Sequence, residues 1–500
     1  MLNFPYLNII KKINEVALDL QYEVYLVGGF LRDLIVGEVR KPDLDIAVKE
    51  NSTISSIFNN KQLTTDSRHS TSQIARSISQ KFVTSFFTLD ENRGIFRVIY
   101  KENSILWSID ITKINGERIE DDLRRRDFTL NSIAIRLCDL LKEEWKDYLI
   151  DPLGGINDIK WKKINLSSYE AICEDPLRML RAIRLASQLN FILDDSIIKS
   201  IKVYSSLINT CAQERIRDEL FQIFNAPTAS IYIRRMDELG LLEQIIPEIN
   251  LMKKLDQGNY HYYPLWEHSL KTLEYVERIF LNLSDIFHEL SDRVNNLLEF
   301  QVENFINLRS LLKLAALFHD LGKPATRSIE EDGRVRFFHH EVKGEEISKV
   351  INHSLRLSNE ASKVIQTIIR YHMRPFILFS EDKSTKKALF RFCRDTHPFL
   401  PLLCILAIAD AEATNPPEMA ASPEFGKLLL MAYKVIGYYY EDYLAPKRER
   451  LLSGYDIMKH LTIGPGPIVG KLLLELDDVQ AEGIIKTKED ALEWLEKYHE

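Results

Sequence analysis

Val27-Gly28-Gly29-Phe30-Leu31-Arg32-Asp33 is followed, ten residues on, by Asp43-Leu44-Asp45-Ile46-Ala47-Val48. The apolar run Val24 to Val27 predicts a strand, and two glycines at its end let the backbone approach a ligand that side chains would exclude. Amides exposed at such a turn suit phosphate oxygens. In Asp43-x-Asp45 the flanking Ile46, Ala47 and Val48 predict a second strand, whose period of two puts both carboxylates on one face. Two acids on one face can share divalent ions. Hard oxygen ligands favour Mg2+, which keeps positions open for substrate phosphates, and two such ions roughly 3.5–4 Å apart can clamp attacking and leaving oxygens.

The chain has 500 residues, 45% of them hydrophobic, which is too long for one ordinary domain and enough for several packed cores. Strand-like alternation fills much of residues 20 to 137, and helical spacing dominates from about 168 onward. The expected fold is therefore α+β at first and mostly α afterwards. Pro and Gly-Gly punctuation marks a junction between Asp151 and Asn165. Asn51 to Ser72 is polar and serine-rich and predicts a mobile or irregular loop. A formal charge of -8 gives no general attraction for nucleic acid, so any RNA contact must be local. The five cysteines show no Cys-x-x-Cys spacing, which indicates neither a disulfide scaffold nor a zinc ribbon. The apolar run near Phe399 to Ala409 contains Pro401, meets Asp410 and is too short to span a bilayer. With no secretory leader pattern either, the expectation is a cytoplasmic protein without a membrane partner.

Four further segments follow the glycine and aspartate pairs: Arg125-Arg126-Asp127-Phe128-Thr129-Leu130-Asn131, Asp151-Pro152-Leu153-Gly154-Gly155-Ile156-Asn157-Asp158, Glu174-Asp175-Pro176-Leu177-Arg178 continuing to Arg181 and Arg184, and the Glu214-Arg215 to Glu219 stretch. Taken in order, this set resembles the tRNA nucleotidyltransferase and bacterial poly(A) polymerase family of the DNA polymerase beta superfamily. The resemblance covers roughly the first 225 residues and implies a mixed-sheet catalytic head. It implies Mg2+ on Asp43 and Asp45, a triphosphate held by Gly28, Gly29 and Arg32, ribose recognition at Arg126 and Asp127, and a nucleotide contact at Asn131. Bases would be read by Asp175 and Arg178, with Arg181 and Arg184, so that protein serves as template. The substrates implied are the tRNA 3′ acceptor end with CTP and ATP. The products open to it are CCA, CC alone, A alone or a poly(A) tail.

Physical reasoning supports part of this. Asp175 and Arg178, three apart on an expected helix, share one face and offer acceptors and donors to a base edge. Arg124 to Arg126 could attract phosphate, but Asp121, Asp122 and Asp127 offset them, which reads as a solvated helix start. Asp110, in Ile109-Asp110-Ile111, is either a third metal-site carboxylate or an acid satisfied by strand-end amides.

A second constellation comprises His268, His319-Asp320, His340, His372 and Asp410. Imidazoles and carboxylates suit Ni, Mn, Fe or Mg, and adjacent His319 and Asp320 can hold one ion if a helix ends there. The order resembles an HD phosphohydrolase domain. That resemblance implies metal on His268, His319, Asp320 and Asp410, with His340 and His372 forming a second metal position or touching phosphate. His339-His340 leaves the choice between the two histidines open. A phosphatase or phosphodiesterase activity on RNA ends is the implied second function, or the main one. The expected domains are a head at 1–150, a helical neck at 151–250, an HD domain at 251–415 and a helical tRNA-binding tail at 416–500. In the tail, Gly464-Pro465-Gly466-Pro467 predicts a turn into a helix.

Overall fold

The apolar residues Val24 to Val27 form strand β1 (Glu23–Val27), and the chain turns at Gly28 directly into the helix Gly28–Val36. The structure is a computed structural model that describes residues 6–40, 42–49, 70–91, 93–102, 105–255, 262–331, 333–380, 385–414, 423–445 and 450–499. Most of the expected irregular loop, residues 51–69, lies outside those described, and its last three residues begin the helix Ser70–Phe82.

β2 (Asp43–Lys49), β3 (Phe86–Asp90), β4 (Ile95–Glu102), β5 (Ile105–Lys113) and β6 (Ala134–Arg136) complete a six-stranded sheet of order β3-β4-β5-β2-β1-β6. Only β2 and β5 run parallel, so the sheet is mixed, as expected. β1 and β2 are central and nearly continuous in burial, which is why they read as apolar runs. Tyr6, Phe30 and Trp107 pack edge to face beside them, with Tyr6 centred 5.1 Å from Trp107.

A short segment beyond the sheet ties two of the sequence motifs together. The Asp151 carboxylate accepts from the amides of Gly155 and Ile156, and Asp158 accepts from Thr129 Oγ1 at 2.6 Å and Asn165 Nδ2 at 2.8 Å. A side chain at Gly155 would strike the Thr129 carbonyl, so only glycine fits this crossing.

By internal contacts the chain divides into two compact units, 1–211 and 212–500. Among its described residues the second is helical apart from two small hairpins. Its helices Leu265–Leu281 and Leu308–Phe318 bury an ion pair between Glu277 and Lys313, 2.9 Å apart. Lys313 also donates to the Ala226 carbonyl, and Glu277 accepts from the amide and hydroxyl of Ser230. The fully satisfied network fixes three helices in one register. Lys313→Met strands the Glu277 charge, and the expected cost is about 3–5 kcal/mol, read as a lowered urea midpoint. Adding Glu277→Leu should recover most of that loss; a single variant as stable as the parent would show the pair to be dispensable.

At the C-terminal end, helices Gly454–Leu461, Pro467–Glu482 and Lys488–His499 share a small core around Ile457, Leu472 and Leu476. The Gly-Pro turn leads into the second of them, as its sequence predicts.

Candidate functional site

Asp43 opens β2, where it is exposed, and Asp45 follows on the same face with its carboxylate at the Gly28 turn. Gly28 has φ +75, and a Cβ there would collide with Asp45 Oδ2. The glycine is therefore required by the carboxylate as much as by any ligand. The Gly29 amide donates to Asp45 as well. In the parallel ladder Asp45 lies opposite Asp110 of β5, so a third carboxylate joins the pair. Asp110 takes a side-chain partner. Arg97 of β4 holds it with two hydrogen bonds of 2.6 Å.

Withdrawal from water raises the Asp45 pKa, Arg126 opposes this, and Asp110 and Asp43 push it further, to about 6. A raised carboxyl pKa stabilises the folded protein below the unfolded value of about 4, and that contribution is lost as the pH climbs through about 6. The same proton competes with a cation. Mg2+ binding to the head should thus weaken as the pH falls through about 6, and higher Mg2+ should shift the midpoint downward. Isothermal titration at several pH values measures this, and an affinity flat between pH 5 and 8 would contradict it.

Beside the carboxylates runs a chain of hydrogen bonds. Arg32 is buried and donates to Asp33 Oδ1 through Nε and Nη2, and through Nη1 to Asn131 Oδ1 at 2.8 Å. Asn131 Nδ2 donates to Asp127 at 3.0 Å, and Arg181 Nη1 donates to the other Asp127 oxygen at 3.1 Å. Burial alone would raise the Asp127 pKa, but Arg181 and Asn131 hold it low. Through Arg32 this chain of hydrogen bonds links the glycine turn to the helix Arg178–Leu189. Arg184 on that helix is close enough to Arg32 to repel it and bonds Gln188.

Two expectations need correction. Asp175 precedes the helix in extended conformation, since Pro176 follows it, and its carboxylate accepts from the Leu177 amide. Arg178 is the first helical residue and donates to the Ala171 carbonyl, Glu174 and the Arg125 carbonyl. The two residues meet at a helix entrance and not along a helix face. Likewise Arg124 to Arg126 close the short helix Ile119–Leu123, whose first turn carries Glu120, Asp121 and Asp122, an arrangement that suits the helix dipole. Arg126 bonds Asp122 at 3.1 Å.

In the second unit the helix Leu308–Phe318 ends immediately before His319, as the local sequence requires for paired ligands. His268 Nε2 lies 3.3 Å from His319 Nε2 and 3.0 Å from Asp410 Oδ1, and His319 Nε2 lies 3.2 Å from Asp320 Oδ2. On the other side, His340 Nε2 lies 3.1 Å from His372 Nε2 and 3.3 Å from Asp320 Oδ1. Asp320 therefore presents one oxygen to each group, and two sets able to hold a metal share it. His339 is the left-handed, exposed residue before the helix His340–Ser354, so His340 is the inward one.

A donor set of this kind fits a cation. The Nδ1 atoms of His319, His340 and His372 each lie 2.7–2.9 Å from the carbonyl three residues earlier, which places their protons there and turns Nε2 lone pairs inward. Facing lone pairs repel unless a proton or metal lies between them. Metal–nitrogen bonds of about 2.1 Å give ligand edges of roughly 3.0–3.4 Å, which matches the spacing found. Burial would lower the His319 pKa, but Asp320 and Asp410 carry it up to about 10, whereas burial and the His319 charge push His372 down to about 3.

Arg97 and Lys323 were not among the expected site residues. Lys323 is buried 2.7 Å from Asp320 Oδ2, and its signal was its spacing three residues after that acid. Arg97 had no local signal, because its partner comes through strand pairing.

Family models match both segments of the chain that carry these residues. Residues 24–165 match the model of the poly A polymerase head domain, 190–252 that of the probable RNA and SrmB-binding site of polymerase A, and 265–415 that of the HD domain. The chain is 31% identical to a CC-adding tRNA nucleotidyltransferase of Thermus thermophilus, covering 95% of this chain and 93% of the relative. The chain belongs to the tRNA nucleotidyltransferase family. An A-adding tRNA nucleotidyltransferase of Deinococcus radiodurans is 30% identical, with 95% of each protein covered. Among solved structures, a CCA-adding enzyme with CTP matches at TM-score 0.60 and 20% identity, covering 99% of this chain and 96% of the other. A Thermotoga maritima CCA-adding enzyme complexed with tRNA matches at TM-score 0.58 and 18% identity, covering 99% and 96%. These structures share the fold of this tRNA nucleotidyltransferase, a mixed-sheet head followed by helices. Among its described residues no single helix is long and apolar enough to cross a membrane.

Proposed function

We propose that this enzyme adds CCA, or the CC or A portion of it, to tRNA 3′ ends from CTP and ATP. The observation that carries the reading is the convergence of Asp43, Asp45 and Asp110 beside the Gly28-Gly29 turn. Asp43 and Asp45 would hold Mg2+, and Asp110, oriented by Arg97, would complete the set. Bound there, Mg2+ would neutralise charge on the α-phosphate and the departing pyrophosphate. The tRNA 3′-hydroxyl oxygen bonds to the α-phosphorus, the bond to pyrophosphate breaks, and the hydroxyl proton leaves to solvent. Asp127, held by Arg181 and Asn131, would receive the ribose, and Asp175 with Arg178 would select the base at the helix entrance.

Relatives of nearly equal identity add CC in one case and A in the other, so identity does not choose between partial and complete addition. The test gives purified enzyme with Mg2+ three transcripts, ending before CCA, after C and after CC, with CTP and ATP alone and together. CCA followed by arrest identifies the complete reaction; CC or A alone identifies a partial one. Long A tails would make the protein a poly(A) polymerase, and no addition to any transcript would sink the reading.

The sharing of Asp320 between two ligand sets favours a second activity, metal-dependent phosphoester hydrolysis. There water oxygen would bond to phosphorus, the ester bond would break and the leaving oxygen would take the proton. Release of phosphate from RNA ends without any nucleoside triphosphate tests it, and full activity after metal removal would refute it.

A further inference from the structure

A row of side chains runs across one face of the head sheet. The strand register sets Phe87 of β3 opposite Arg97 of β4, Arg97 opposite Asp110 of β5, and Asp110 opposite Asp45 of β2. Residues paired across strands in this way point to the same side, so all four share the carboxylate face. The helix Ser70–Phe82 covers the other face of β4 and β5, where Phe82 packs on Tyr100 and Phe96, Val98 and Ile109 are buried.

Within the row Arg97 stands as a cation among acids. Its Nε and Nη2 each take one Asp110 oxygen at 2.6 Å, so the guanidinium fork occupies both oxygens of the third carboxylate. The hydrogen bonds to Asp110 raise the Arg97 pKa, burial opposes them, and the charges of Asp110, Asp43 and Asp45 add to the rise. The guanidinium therefore feels all three acids of the candidate metal set. Two neighbouring arginines are engaged differently: Arg32 is buried against Asp33 and Asn131, and Arg126 bonds Asp122.

Little holds Arg97 beyond this fork. Its side chain is 36% exposed and that of Asp110 24%, an ion pair in which solvent screens much of the attraction. On its other flank Phe87, 43% exposed, offers a guanidinium a second resting place over an aromatic ring.

We propose that Arg97 is a stand-in cation, which keeps Asp110 out of the metal set before a divalent ion binds and then gives up both oxygens to that ion by swinging toward Phe87. The proposal rests on reading these carboxylates as the metal site for nucleotide transfer. Arg97 is thereby a positioning residue with two opposed effects. It relieves the repulsion of three clustered acids, and it competes with the ion they are built to hold. A residue that only aimed Asp110 would help ion binding, so the sign of its loss decides between the two roles.

The test titrates Mg2+ into the full chain by isothermal calorimetry at pH 8, well above the Asp45 pKa of about 6, with no nucleotide or RNA present. Ions taken up by the second unit are common to every variant, so differences report on the head. Arg97→Gln should bind Mg2+ about tenfold more tightly than the parent, as expected when one charge-assisted competitor is removed. Arg97→Lys keeps the charge and loses the fork, and it should show part of the same gain. Thermal melting checks that both variants fold. Weaker or unchanged affinity in Arg97→Gln would overturn the proposal, and so would Arg97→Lys at the parent affinity, which would assign the effect to charge alone. Replacing Asp43 and Asp45 together by alanine separates the two readings. Parent-like Mg2+ binding in that variant would remove the metal site itself, whereas lost binding there with no gain in Arg97→Gln would leave the site standing and remove only the exchange at Arg97.

Discussion

Replacing Asp43 and Asp45 together by alanine is expected to lower single-turnover nucleotide incorporation by a factor on the order of 10³ or more, since metal stabilisation of the reacting phosphate is worth several kcal/mol. Neither side chain belongs to the apolar core on which β2 depends, so their removal takes little from it. Circular dichroism and the thermal midpoint should remain close to those of the parent. Asp45→Asn refines the experiment by keeping the shape and losing the charge. It should also abolish the pH dependence of Mg2+ binding centred near 6 that the Asp45 carboxyl confers. A well-folded double variant with near-normal incorporation would remove Asp43 and Asp45 from the mechanism.

The second large effect concerns Asp320. Its oxygens face two different histidine pairs, so Asp320→Asn is expected to strip metal from both positions and reduce phosphoester hydrolysis at least about a hundredfold. Asp410→Asn should weaken only the position built on His268 and His319, since Asp410 approaches those two residues alone among the histidines. Asp320→Asn also removes the negative charge 2.7 Å from buried Lys323, so destabilisation of a few kcal/mol should accompany it. Metal content by elemental analysis keeps the two consequences apart. Equal losses in the two variants, or none in either, would contradict a shared carboxylate.

What could be read from the chain alone followed the range of the interactions involved. The turn from β1 into the first sheet-side helix is local, and its two glycines and apolar flanks announce it. The pair Asp43 and Asp45 is equally local. Asp110 was ambiguous because its surroundings come from β2 and β4, whose pairing depends on tertiary contacts and leaves no mark within a few residues. Arg97 was invisible for the same reason. At Asp175 the error had a local cause: the periodicity of Arg178, Arg181 and Arg184 was extended backwards across Pro176, which does not permit helical geometry in the residue before it. The choice between His339 and His340 required a backbone angle, since a left-handed residue turns its side chain outward just before the helix begins.

Each of the three histidines His319, His340 and His372 takes its orientation from the carbonyl three residues before it, within its own stretch of chain. Metal binding then has no side chains to gather from a disordered state. The ions should come and go through a scaffold that remains folded, unlike small zinc domains in which release of the ion and loss of structure are one event. Chelation should therefore silence this centre reversibly, and re-addition of the ion should restore it without a refolding step.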